Sequence, residues 1–263
     1  MKERWQERRQ EREQNPDGFP ETAARRAYTQ RRKKVKKGLL TATAIGVFLA
    51  LCLLWLFLII PLQAGNAVAG SFEEGLGADS ARATVKGSPF ALLAGEAKSL
   101  SLHLRFEEGA AVPVNEIYAE WADAEGLLPA IREGRGGESE YSPDRLRIIW
   151  DTTTFAHFIA QSIGVIEDPV VTIQMGEMQI AGSLELQGKN RELLIQGLPQ
   201  VSSPGLLTFS IGAIGIEGEA LAPEIQERIN SLLQIPLSIP LLDWQIGAGS
   251  IRIEDESVIF ESE

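Results

Sequence analysis

Residues 39–60 read Leu-Leu-Thr-Ala-Thr-Ala-Ile-Gly-Val-Phe-Leu-Ala-Leu-Cys-Leu-Leu-Trp-Leu-Phe-Leu-Ile-Ile, twenty-two residues without a charge. As an α-helix the run is about 33 Å long, against a hydrocarbon core of about 30 Å. A core helix of a soluble protein keeps a polar face; here only Thr41 and Thr43 interrupt the apolar surface, and both can bond to carbonyls one turn back. The run predicts a single transmembrane helix over residues 39–61. It divides the chain into a basic segment (1–38), the helix, a linker (62–80) and a larger domain (81–263).

The flanks give an orientation. Thirteen Lys and Arg lie in residues 1–38, ending in Arg31-Arg32-Lys33-Lys34-Val35-Lys36-Lys37, and none lies between Gly38 and Ser80. Basic flanks stay in the cytoplasm, so the N-terminus is expected there and the C-terminal domain outside, in the cell envelope. Ala67-Val68-Ala69 before Gly70 has the small-x-small form of a signal-peptidase site. The apolar run exceeds the h-region of about 7–15 residues, however, so an uncleaved signal anchor is expected. Cys52, in mid-helix, fits neither a lipoprotein site nor a juxtamembrane palmitoylation site.

Charge separates the two sides further. Residues 1–38 carry thirteen basic and six acidic residues, net +7; the rest carries twelve basic and thirty acidic, net −18. So negative a domain is excluded from binding nucleic acid through phosphate contacts. It contains no cysteine and so no disulfide, and must be held by its core, for which about 180 residues suffice.

In chain order, residues 1–14 are good helix formers with almost no face to bury. Asn15-Pro16-Asp17-Gly18-Phe19-Pro20 breaks any helix, and helix formers resume from Glu21 into the membrane run. Residues 63–80, rich in Ala, Gly, Ser and acid, read as a flexible linker. From Ala81 the period becomes two: Leu100, Leu102, Leu104 and Phe106 predict a strand, and Arg145 to Trp150 another. Residues 114–123 fit either strand or helix. Asp151 or Thr152 can cap a helix that Gly164 ends. Val171 to Leu186 predicts a hairpin turning at Gly176-Glu177, followed by strands over 192–197 and 206–217 and an amphipathic helix from Pro223. Closing strands are marked by Trp244 and Ile246, Ile251 and Ile253, and Val258 and Phe260.

Three stretches carry a family likeness: Pro89-Phe90-Ala91-Leu92-Leu93-Ala94-Gly95 leading into a strand; Arg145-Leu146-Arg147-Ile148-Ile149-Trp150 followed by the Phe155 to Ile163 helix; and Gly212 to Glu219 leading through the Pro223 helix to the last strands. With them, residues 81–263 resemble the LmeA-like family of bacterial extracytoplasmic phospholipid-binding proteins, relatives of tubular lipid-binding domains. The resemblance implies an α+β fold in which a curved antiparallel sheet wraps one or two amphipathic helices and encloses lipid tails. The long basic cytoplasmic arm departs from that family's pattern.

Catalytic chemistry is hard to assemble. The two histidines, His103 and His157, have no Gly-x-Ser-x-Gly elbow beside them, and neither Cys-x-x-Cys nor His-Glu-x-x-His occurs. Gly212-Ala-Ile-Gly215-Ile-Glu-Gly218 has the wrong spacing for a dinucleotide site. The expectation is a non-enzyme without cofactor or metal. Its function is expected to be phospholipid binding at the membrane, in envelope lipid handling. Acyl chains would be lined by Ile173, Met175, Met178, Ile180, Phe209, Ile211, Ile225, Ile229, Leu232 and Leu233. The alternative is that these residues fill the closed core of a non-catalytic envelope scaffold.

Ala42, Gly46 and Ala50 recur on one face of the membrane helix, where small residues let two backbones approach. A weak homodimer through this face is expected. In a membrane two-hybrid assay Gly46→Leu should lower the self-association signal; an unchanged signal would remove this face as the contact.

Overall fold

The computed structural model describes residues 2–14, 20–107, 109–164, 166–174, 176–186, 188–221, 227, 229 and 233–262. The chain forms two compact units, Met1–Leu56 and Phe57–Glu263. In the first, α1 (Lys2–Gln14) precedes the start of α2 (Pro20–Leu76). The basic run and the apolar run are thus one unbroken helix. Residues 39–55 are exposed throughout, and among the described residues this is the one helix long and apolar enough to cross a membrane.

The second unit begins within the same helix, and here the linker expectation is corrected. Residues 62–76 are helical, because Ala64, Val68, Phe72 and Leu76 recur every four residues and make an apolar stripe. Val68, Phe72 and Leu76 belong to the core, and Ile60 and Ala64 pack against it. The Gly, Ser, Asn and Glu residues at the positions between mask the stripe in the sequence. Gly77, with φ 66°, ends the helix, and the Ala78 N–H donates to the Glu73 carbonyl at 3.2 Å, closing the last turn. The chain then returns along α2 as β1 (Ser80–Lys86). A Cβ on Gly65 would lie 2.5 Å from the Ala83 carbonyl oxygen, so helix and strand meet at backbone distance.

The fold is α+β, with curled antiparallel sheet around the core. After β1 come α3 (Pro89–Ala94), β2 (Ser99–Arg105), β3 (Glu116–Trp121), α4 (Leu127–Arg132), β4 (Arg145–Asp151) and α5 (Thr152–Ile163). The order continues β5 (Ile166–Gln174), β6 (Glu177–Leu186), β7 (Lys189–Ser203), β8 (Leu206–Ile216), β9 (Glu219–Ala220), β10 (Ile235–Pro236), β11 (Gly249–Glu254) and β12 (Ser257–Ser262). One sheet runs β1-β2-β3-β4-β12-β11. The other runs β10-β8-β7-β6-β5, with β9 on β8.

Alternation decides the inner face of the first sheet. Leu104, Ile117, Ile148 and Phe260 stand opposite one another across four neighbouring strands, all fully buried. Each such side chain contributes about 1.5–3 kcal/mol by leaving water. Of the ambiguous stretch 114–123, residues 116–121 form a strand: Ile117, Ala119 and Trp121 face inward. The C-terminal end of β4 feeds α5 directly. Asp151 caps it, its Oδ1 accepting the Thr154 N–H at 2.7 Å, and Gly164 stops it with φ 61°. α5 packs on β4, β5, β10 and β12, so it joins the two sheets, and β11 lies against β7.

Other boundaries differ from expectation. β7 runs on to Ser203 through Pro199, which is tolerated because beyond Gly197 the strand pairs with β8 alone. Trp244 and Ile246 are buried but lie in no strand; their alternation reports burial of an extended segment, without a ladder partner. The Pro223 helix falls largely outside the described residues. Phe72→Ala should cost about 3–5 kcal/mol, the usual penalty for a buried aromatic. A thermal melt of the full chain in detergent checks it, and a loss below about 1 kcal/mol would mean the α2 stripe does not contribute to the core.

Candidate functional site

The expected lipid-lining residues are brought together, but inside a closed interior. Ile173 faces Met178 across the β5–β6 hairpin, Ile180 faces Val171 and Ile195, and Phe209 lies on β8. Met178, Ile180, Phe209 and Leu233 are at most 3% exposed; Ile173, Ile211 and Ile229 pack against the core and are partly buried. Met175, Ile225 and Leu232 lie outside the described residues. Where described, the set forms one apolar surface that touches protein.

Among the described residues three enclosed polar atoms lack a hydrogen-bond partner: Arg147 Nε on the polar outer face of the first sheet, and Trp150 Nε1 and Thr154 Oγ1 in this interior. Trp150 points from β4 toward α5, its ring 5.8 Å from that of Phe155 and 5.6 Å from that of Phe158. An unmet buried donor or acceptor costs about 1–3 kcal/mol, so these atoms mark where an incoming polar group gains a hydrogen bond. The sequence placed Trp150 at the end of an expected strand; that it faces inward and that its N–H has no acceptor required the packing.

The outer face of the first sheet is polar and ordered. His103, Tyr118, Arg147 and Glu261 form a continuous row across β2, β3, β4 and β12. His103 stacks on Tyr118 with centroids 4.0 Å apart, and the Arg147 guanidinium lies 6.0 Å over the same ring. Glu116 gathers the donors: Tyr118 Oη donates to its Oε2 at 2.6 Å, and His103 Nε2 lies 3.2 Å from the same oxygen. Burial pushes the Glu116 carboxyl up. The bonds from Tyr118 and His103 and the nearby charges outweigh it and leave the group below its ordinary value. Its hydrogen bond to Glu116, with burial next, pushes the Tyr118 phenol up.

His157 is exposed on α5, which leaves it on the solvent side of that helix. Among the described residues no three His, Cys, Asp or Glu side chains converge as a metal site. Of the surface cavities of the second unit, two lie apart from both the interior and the polar row. One, of about 410 Å³, is at the C-terminal end of α2 between Phe72, Leu76, Ile131, Arg132 and Leu241. The other, of about 440 Å³, is a trough on the outer face of the second sheet along Val170, Ala181, Leu194 and Gly215. No protein-family model, curated protein or solved structure matches the chain.

Because the folded Glu116 is held below its ordinary value of 4.5, its contribution to stability is complete above that pH. It is lost as pH falls through the folded value. The gap in melting temperature between the wild type and Glu116→Gln should therefore shrink on acidification below pH 4.5. A gap independent of pH would mean that the Tyr118 and His103 bonds do not favour the charged carboxylate.

Proposed function

We propose that this chain is a membrane-anchored, non-catalytic protein whose outer domain binds phospholipid, with the basic arm in the cytoplasm and the domain in the cell envelope. The observation that carries the reading is an apolar interior that encloses two unpartnered polar atoms, Trp150 Nε1 and Thr154 Oγ1, beneath curled sheet. An acyl chain suits the apolar walls, and its ester carbonyl is an acceptor for the indole N–H. The apolar α2 supports anchoring beside the source of such a ligand. Burying an acyl chain gains about 0.8 kcal/mol per methylene over water, and a bilayer offers nearly the same, so the domain exchanges lipid with the membrane rather than sequestering it. Entry requires the interior to open.

The second reading, a scaffold with a permanently closed core, is favoured by the near-complete burial of Met178, Ile180, Phe209 and Leu233. Photo-crosslinking separates the two. The full chain is reconstituted with a phospholipid bearing a diazirine on its acyl chain, irradiated and mapped by mass spectrometry. Lipid binding predicts adducts on peptides between Trp150 and Ile180 as well as on the membrane helix. Trp150→Phe, which keeps the apolar shape, should lower the interior yield about two- to tenfold, the value of one hydrogen bond, without unfolding the domain. Adducts on the membrane helix with none in the interior of the folded protein would overturn the reading in favour of the scaffold.

A further inference from the structure

Within the second unit, α3 turns two large apolar side chains away from the protein. Phe90 and Leu93 are 68% and 67% exposed and, three residues apart, share one face of the turn; Pro89 and Leu92 on the other face are buried. The arrangement is firmly built. Ser88 accepts the Ala91 N–H, Gly95 takes a left-handed conformation, and its N–H reaches back to the Ala91 and Leu92 carbonyls. The Lys98 N–H donates to the Lys86 carbonyl at 2.8 Å, which sets two exposed lysines together at the base of α3. Between Lys86 and Lys98 the one other charge is Glu96, so this segment is net +1 in a chain that is net −18 from residue 39 onward.

The course of β1 fixes which end of the unit α3 occupies. β1 leaves the turn after Leu76 and runs back beside α2, with Ala83 against Gly65. From Ala83 to Lys86 it advances about another 10 Å. Laid antiparallel to α2, that advance equals about seven helical residues and reaches the level of Leu58. Here α2 is still part of the apolar run, and Phe57, Leu58 and Leu62 are exposed. On that course α3 falls at the end of the unit where α2 carries exposed apolar side chains.

We propose that α3 is a membrane foot: Phe90 and Leu93 enter the interfacial layer of the bilayer that α2 crosses, and Lys86 and Lys98 lie on its anionic phosphates. The proposal rests on α2 being a membrane helix. Lysines whose stems lie along apolar surface while their ammonium groups meet phosphate are the usual partners of such a contact. A bilayer fits this surface better than a protein partner does, because the exposed pair, the two cations and the exposed α2 side chains coincide at one end.

The test uses the full chain, with an environment-sensitive nitrobenzoxadiazole label attached in detergent and vesicles of equal phosphatidylcholine and phosphatidylglycerol. The label is placed on native Cys52, or, in a Cys52→Ser background, on Phe90→Cys, Leu93→Cys or Glu256→Cys. Glu256 lies in the turn between β11 and β12, at the opposite end of the first sheet, where β1 begins. Positions 90 and 93 should show blue-shifted emission, loss of quenching by aqueous iodide, and quenching by headgroup-proximal nitroxide lipid, while position 256 stays open to iodide. Lys86→Glu with Lys98→Glu should restore iodide quenching at position 90 in part. If 90 and 93 are as open as 256 while Cys52 is protected, the foot is overturned and the anchor stands. Protection from iodide without nitroxide quenching means a protein covers α3, which also overturns it. A Cys52 label open to iodide overturns the anchor and with it this proposal.

Discussion

The backbone contact between Gly65 and Ala83 governs the second unit. A helix and a strand can approach this closely only where the helix carries no side chain, and any Cβ at residue 65 would push α2 off the Ala83 carbonyl. The contact sets the depth at which Val68, Phe72 and Leu76 reach the core, and through Phe72 it extends to Trp244 and Trp121, whose rings stand 6.0 and 5.5 Å apart along the series. Trp244 in turn donates from Nε1 to the Gly136 carbonyl at 3.0 Å, fixing the loop after α4 and the irregular segment before β11 together. β1 is also the edge strand of its sheet, and a helix lying against it leaves less of that edge open to a further strand.

Period and caps were the legible part of the sequence. Leu100, Leu102 and Leu104 announced β2, Asp151 and Gly164 bracketed α5, and Gly176-Glu177 turned the β5–β6 hairpin. Each of these signals is local, decided by residues within one turn or one strand. What escaped detection depends on partners far away in the chain. The stripe from Ala64 to Leu76 is diluted by small and acidic residues and acquires meaning only once β1 lies beside it. Trp244 alternates like a strand residue but is held by an aromatic cluster instead of a ladder. The residues expected to line acyl chains are, where described, buried or partly buried against the core; whether an apolar set closes on itself is a matter of packing, to which alternation is blind.

The two sheets show why that blindness matters for function. On the first, inward leucines and isoleucines alternate with His103, Tyr118, Arg147 and Glu261, so the outer face is hydrated and cross-linked by its own charges. An ion-paired face of this kind has little apolar area to offer. The second sheet lacks that coat along one row: Val170, Ala181, Leu194 and Gly215 are neighbours across β5, β6, β7 and β8 on its outer side, while Met178, Ile180 and Ile195 fill its inner side. A sheet with apolar rows on both faces gives up less on changing what it is packed against than one with a charged back. The first sheet, met by α2 at Gly65 and Ala83, thus turns a polar coat outward, whereas the second carries an apolar row on each face and is held to the first by α5 and by β11 against β7.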